Sequence, residues 1–365
     1  MRMISEYRDK DKVDLLLRQI KKINNKSSTY RFMEICGTHT MSISKFGVRT
    51  LLPENIELIS GPGCPLCVTS QGEIDAIFEM IINYKPIVVT YGDLLKVPGS
   101  NGESLLKLKS MGYDIRVVFS PLDTLKIAKD NPNREIVFLS IGFETTTPPT
   151  AALVKMLEKH SINNVFIFVM NKTMPNILDF IIKQEIVKLD GFICPGHVSV
   201  ITGELLYKPL VDNNFACAIA GFEPVDILLG IYSLIEQVNS GVYYVKNTYK
   251  RVVKSDGNHK ALELLEEVFE PTDAFWRGIG LVMGSGLKLK RGYERYDAIN
   301  KYGLKINHNK SISGCKCGEI LLGLKKPYEC GMFAKYCTPE NPVGPCMVSS
   351  EGTCAAFYKY ERVAL

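Results

Sequence analysis

The stretch IELISGPGCPLCVTSQGEIDAIFEMI, residues 56–81, decides how the rest of the chain is read. Its first five residues are a short apolar run, closed by Gly61-Pro62-Gly63, which is the signature of a strand ended by a tight turn. Ser70 and Glu73 then have the spacing of a capping box. Ile74, Ile77, Phe78, Ile81 and Ile82 mark one face of a helix. Strand, cysteine-bearing turn and helix follow one another directly, as in one half of a βαβ unit. Working outward, the same alternation recurs. Strands are expected at 31–35, 56–60, 87–91, 115–119, 136–141, 165–170, 191–194, 216–220 and 279–283, with helical patterns between them. Residues 6–24 read as a helix, with Val13, Leu16, Leu17, Ile20 and Ile23 on one side. Strands separated by helices mean parallel sheet, and nine strands are many for one sheet, so two α/β domains are expected.

The composition permits this. The chain has 365 residues, 46% hydrophobic and 23% charged, enough apolar surface for two or three domains and too much for extensive disorder. A net charge of +5 is too small and dispersed for a nucleic-acid-binding protein, and no aromatic-and-basic platform appears. No apolar run approaches the roughly 20 residues of a membrane span. The opening MRMISEYRDKDK has no signal-like stretch. The expectation is an unprocessed cytoplasmic protein with neither nucleic acid nor membrane as partner. The unusual figure is eleven cysteines, which in a reducing compartment point to metal, cluster or redox work.

Those cysteines fall in two groups. Cys36 follows the strand at 31–35, in MEICGTHTMSISKFG, and Cys64 and Cys67 follow the strand at 56–60. Both sites lie at carboxyl ends of strands, where open α/β sheets place ligands, and near helix N-termini, which favour thiolate. Cys64-Pro65-Leu66-Cys67 can close a disulfide or bind a metal. His39 lies one helical turn beyond Cys36, so the two are expected on one face. A Cys, a His and a CxxC converging on one cleft suit iron, zinc or copper(I). Taken singly, each has a plainer reading: a zinc half-site, a buried small thiol, a capping histidine.

From about residue 301 the character changes. Six cysteines fall within 315–354, amid glycine and proline. This is a small lobe in need of a metal or cluster staple. The spacing C-x14-C-x6-C-x16-C picks out Cys315, Cys330, Cys337 and Cys354, four thiols as a [4Fe–4S] cluster requires. Zinc is the rival, although its paired C-x2–4-C knuckles are lacking. Spacing alone does not choose four ligands from six.

Other features are weaker. FLSIGFETTTPPT (138–150) and CAIAGFEPVDILL (217–229) echo each other, a hint of duplication. Asp93, Lys96, Glu144, Thr145, His197 and Glu223 follow strands and either line the cleft or cap helices. Cys194 and Cys217 read as core. No nucleotide-binding glycine motif and no nucleophile elbow occur.

The motifs FMEICGTHT, LLPENIELISGPGCPLCV, TYGDLLKVPGS, GFETTTP, ICPGHVSVITG and CAIAGFEPVDIL, followed by the C-x14-C-x6-C-x16-C tail, occur in this order. Together they resemble the HypD family of hydrogenase maturation proteins, from about residue 30 to 354. Some members carry a second histidine two residues after the first; this chain has Met41 there, so His39 alone is available. The resemblance implies two α/β domains around a cleft plus a small C-terminal cysteine-rich iron–sulfur region. The expected division is an N-terminal helix (1–30), a first domain (31–160), a second (161–300) and a cluster region (301–365). It also implies a scaffold that, with the small chaperone HypC, assembles the Fe(CN)2CO unit of [NiFe]-hydrogenases, with cyanide from the HypE–HypF pair. Cys36 is the expected iron ligand, Cys64 and Cys67 bind iron or exchange electrons, and Cys315, Cys330, Cys337 and Cys354 hold a [4Fe–4S] cluster. His39 is expected to donate a hydrogen bond or proton to an iron-bound ligand. The rival is a cluster-dependent thiol–disulfide oxidoreductase, which needs the CxxC but not Cys36. A zinc-stapled binding protein is a further one.

Overall fold

A computed structural model describes residues 6–184, 187–308, 310 and 312–361; the ends of the expected first and last regions, 1–5 and 362–365, lie outside the described residues. Eleven strands are present: β1 (Tyr30–Glu34), β2 (Ile56–Ser60), β3 (Ile87–Thr90), β4 (Ile115–Val117), β5 (Ile136–Ser140), β6 (Val165–Val169), β7 (Gly191–Pro195), β8 (Ala216–Ala220), β9 (Val245–Asn247), β10 (Phe269–Trp276) and β11 (Gly280–Leu289). One sheet has the order β2-β1-β7-β8-β9, a second the order β4-β3-β5-β6, and β10 and β11 form a hairpin. Every pairing in the two larger sheets is parallel. The fold is therefore α/β. The runs IVVT, IVFLS and ACAIA are buried along their whole length, because helices cover both faces of a parallel sheet.

Eight of the nine expected strands occur with ends moved by at most two residues. The ninth, 279–283, belongs to the longer β11, whose partner β10 runs antiparallel, with a bulge between Thr272 and Ala274. The short β9 and the Pro- and Asp-bearing β10 carry no alternating pattern that would mark them. Sheet membership cuts across the expected division at 160/161. The chain lays down β1 and β2, leaves to build β3–β6 as the second sheet, then returns with β7 beside β1.

The helices that matter for the site are α1 (Lys10–Ile23), α2 (Gly37–Lys45), α3 (Pro65–Val68), α4 (Gln71–Tyr84), α5 (Thr147–Lys159), α6 (Pro224–Ser240), α7 (Pro345–Val348) and α8 (Thr353–Tyr360). Asp9 caps α1 by accepting from Lys12 N at 3.0 Å, and α1 lays Leu16 and Ile20 against α6. Ser70 and Glu73 form the expected capping box on α4. In both halves of the Gly-Phe-Glu echo, proline occupies the first turn of the helix, α5 or α6, where its missing N–H costs nothing. Among the described residues the C-terminal region builds no separate core. Cys317, Ile320, Leu321, Phe333, Met347 and Phe357 join the buried cluster that also holds Leu66, Cys67 and Val68. Burying a side chain of this size contributes about 1.5–3 kcal/mol.

Candidate thiol site at the sheet switch point

The strand order of the first sheet fixes where the site lies. From β1 the chain moves outward to β2, and from β7 outward the other way to β8 and β9. The order reverses between β1 and β7, and such a switch point opens a crevice at the carboxyl ends of the strands. Cys36 follows β1, His197 follows β7, and Cys64 follows the neighbouring β2.

Register brings Cys36 and Cys64 together. Glu34 pairs with Ser60 at the end of the β1–β2 ladder, and the two chains stay joined beyond it: Gly61 N donates to Glu34 O at 2.9 Å and Gly37 N to Gly63 O at 3.0 Å. A Cβ on Gly63 would collide with the backbone N and Cα of Cys36, and one on Gly37 would collide with Glu351 O and stand 3.3 Å from Cys64 Cβ. Glycine is required at 63 by the closeness of the two strand ends, and at 37 by the C-terminal lobe that closes over them. Cys64 and Cys67 are joined as a disulfide across 5.3 Å between Cα atoms. Cys36 beside them is a free thiol.

Helix N-termini do not make Cys36 a thiolate. Burial pushes its thiol up to about 12, the Glu351 carboxylate adds to the rise, and the N–H groups of His39 and Thr38 only partly offset it. Glu351 accepts a hydrogen bond from Thr38 Oγ1 at 2.5 Å, and Thr38 also lies 3.5 Å from His197 Nδ1. Cys36 is the extended N-cap residue of α2 rather than part of it, so helical spacing does not place it on one face with His39. His39 is fully buried. Its Nε2 stands 2.9 Å from Gly221 O and 3.2 Å from Ala220 O, and so carries the proton. Burial holds its pKa down at about 4, so the ring is neutral. Nδ1 is left as a buried acceptor without a partner in the structure. An acceptor, not the expected donor, is what His39 offers.

The C-terminal lobe closes over the same loops. Helix α7 packs on α3, which carries Cys67, and α8 packs on α2. Arg49 ties the layers together, reaching Glu34 and Glu361 at 2.6 Å each. All six C-terminal cysteines line one small cavity of about 20 Å³, walled by Ile320, Phe333 and Met347. The neighbouring Cys317 thiol and burial push the thiol of Cys315 up, and burial with the neighbouring sulfurs pushes that of Cys354 up. Cys337 is pushed up chiefly by burial, with Cys315 and Cys330 adding to it. The donors thus fit a [4Fe–4S] cluster in kind and in convergence. Among the described residues no three or more His, Cys, Asp or Glu are spaced to hold a single metal ion. Cys346 lies on α7, the helix that packs on α3.

The family model HypD, described as "Hydrogenase formation hypA family", matches residues 11–361. The chain belongs to the HypD family. It is similar to Hydrogenase maturation factor HypD2 of Bradyrhizobium diazoefficiens, with 44% identity over 99% of this chain and 97% of that protein. It is likewise similar to Hydrogenase maturation factor HypD of Escherichia coli K12, with 39% identity over 99% of each. A putative hydrogenase expression/formation protein of Methanocaldococcus jannaschii is 42% identical over 94% of this chain and 96% of that one.

Further HypD motif residues line a cavity of about 580 Å³ at the second sheet's own switch point, between β3 and β5. Tyr91, Asp93, Thr145 and Thr146 form one wall, and Pro65, Leu66 and Glu351 the side toward the disulfide. Glu144 instead turns inward, Oε1 accepting from Met174 N at 2.8 Å, and Glu223 pairs with Arg8. Cys194 and Cys217 are buried with their sulfurs 3.4 Å apart. Two residues of the site carried no sequence signal. Glu351 sits in an unremarkable Ser-Glu-Gly turn, and Arg277 lies at a hairpin tip far along the chain.

Proposed function

We infer that this chain is a hydrogenase maturation factor, and we propose that it works as a scaffold which, with HypC, holds iron while the Fe(CN)2CO unit of [NiFe]-hydrogenases is assembled. The observation that carries this is the Cys36–Gly63 backbone contact, which sets a free thiol against a disulfide at a sheet switch point. Iron is the cargo. Cys36 supplies one soft donor and a HypC thiol a second, and cyanide is delivered by the HypE–HypF pair. Because burial keeps the Cys36 thiol protonated, taking up iron must release that proton.

Cys64 and Cys67 act beside the iron as a dithiol–disulfide couple. In the disulfide form neither sulfur is a free donor, so any ligand role for them requires prior reduction. A [4Fe–4S] cluster on Cys315, Cys330, Cys337 and Cys354 supplies single electrons when bound. CxxC disulfides lie at roughly −120 to −270 mV, so this cluster must lie lower to reduce one. The neutral Nδ1 of His39 is left as an acceptor for a donor that arrives with the cargo. The protein acts inside the cell, where a free thiol such as Cys36 stays reduced.

The test is infrared spectroscopy of the complex with HypC, prepared without oxygen. Cyanide and carbonyl stretches are expected for the unaltered protein and absent for Cys36→Ala. Stretches that persist in Cys36→Ala would refute the scaffold. The disulfide favours one second reading, a cluster-dependent thiol–disulfide oxidoreductase. On that reading Cys36→Ala still supports hydrogenase maturation.

A further inference from the structure

The turn between β10 and β11 reaches into the space between the disulfide loop and the C-terminal cysteines. Trp276 bridges Thr69, and Gly278 meets Gly318 backbone to backbone, so tightly that neither position has room for a Cβ. Between these two contacts sits Arg277, 8% exposed. It is tied to the segment after the CxxC three times: its N donates to Val68 O at 2.8 Å, Nε to Thr69 O at 2.7 Å and Nη1 to Gln71 Oε1 at 2.5 Å. Nη2 is buried and has no partner in the structure. The contact of Gly278 with Gly318 sets the guanidinium beside the Cys315–Cys317 segment, and Cys317, Cys346 and Cys315 are within electrostatic reach of it.

The charges around it do not balance. Arginine stays protonated even when buried. Glu73 is close, but its carboxylate is 3.4 Å from the buried Lys172 ammonium and also accepts from Ser70 N. Two buried cations, Arg277 and Lys172, thus share one carboxylate. All three bonds that Arg277 makes go to neutral acceptors, which leave its charge uncompensated. An unpaired buried charge is costly, so this arrangement demands an anion. The groups in reach that can become anionic are the sulfurs.

We propose that Arg277 is the counter-charge for the metal-bound sulfur of Cys315, in the wall that it forms with Cys317 and Cys346. It couples the disulfide loop to that wall and favours the state with the added electron. The inference rests on the cysteine cavity holding metal-bound sulfur, and the experiment separates the two. The full chain is purified without oxygen as wild type, Arg277→Met and Arg277→Lys. Iron and acid-labile sulfide are assayed, and the cluster is titrated with dithionite against redox dyes.

Arg277→Met should keep its iron and sulfide but show a reduction equilibrium about tenfold less favourable, a shift of about 59 mV for one electron. Arg277→Lys, which retains the charge, should stay within about twofold of wild type. A fully loaded Arg277→Met with the wild-type equilibrium would overturn the proposal, as would a lysine variant shifted equally far. If Arg277→Met does not fold, Gln71→Glu places a carboxylate on Nη1 and must shift the equilibrium in the same direction; no shift there overturns the proposal too. A wild type holding zinc instead of iron refutes the cluster reading alone. Arg277 is then read from zinc release to a chelator, which Arg277→Met should make about tenfold easier by loss of one facing charge. A wild type that binds neither metal refutes both.

Discussion

Two buried ionisable residues make this protein's stability depend on pH in opposite directions. His39 has its pKa held down at about 4 against an ordinary 6.5. Between those values the unfolded chain binds the proton and the native one does not. The contribution is therefore complete above about pH 6.5 and is lost as pH falls toward 4. Going from pH 7.5 to 5 should cost about 2 kcal/mol from this residue. Thermal melts at the two pH values should show the loss in wild type and a smaller one in His39→Gln. Glu144 is the reverse case. Burial pushes its carboxyl up from an ordinary 4.5 to about 7, and Oε2 has no partner in the structure. Stability from this group is present below about pH 4.5 and lost as pH rises through 7. Glu144→Gln keeps the acceptor for Met174 N, so it should gain about 3 kcal/mol at pH 8 and less than about 1 kcal/mol at pH 5. Equal gains at both pH values would show that ionisation is not the cause. The candidate thiols were legible at this scale, since CxxC and Cys36 announce themselves by residue type. The protonation states were not, because burial decides them.

At the scale of elements, the close approach of two strand ends makes the site. Gly63 has no room for a side chain because the backbone of Cys36 occupies that space. Gly63→Ala must push the two loops apart, at roughly 2–4 kcal/mol for overpacking against backbone. Chemical denaturation should show that loss, and the thiol of Cys36 should become more accessible to alkylation in the folded protein. An alanine variant with unchanged stability would mean that the loops yield freely. The strands themselves could be read because runs such as IVVT are apolar throughout and punctuated by turn residues. Of the β10–β11 hairpin only 279–283 could be read; β10 could not, since Pro271, Thr272 and Asp273 break its alternation. Arg277 went unread for the same reason.

For the whole molecule, Arg49 is the tie between sheet and C-terminal lobe. It pairs with the fully buried Glu34 at the end of β1 and with Glu361 at the end of α8, and its guanidinium stacks over Phe357. Arg49→Met leaves Glu34 buried without its cation. Breaking one side of such a pair costs about 3–5 kcal/mol, lessened here because Glu34 can take up a proton. Hydrogen exchange should rise most in α8, ahead of the sheet. Uniform exchange across the chain would show that the lobe is not separately anchored. The lobe needs such anchoring because its apolar residues complete the core around α3 rather than one of their own.

The sequence by itself determined the α/β class, nearly every strand of the two sheets, the capping box and the residue types able to hold metal. These follow from local periodicity and local chemistry, which are written along the chain. Only the tertiary structure decided that the first sheet is assembled from two separated segments, that Cys36 meets Cys64 across a glycine contact, and that His39 faces carbonyls. It alone brought Arg277 between two groups of sulfur. Each of these depends on which distant backbones touch and on how far a group is removed from water, and neither is encoded in the spacing of neighbouring residues.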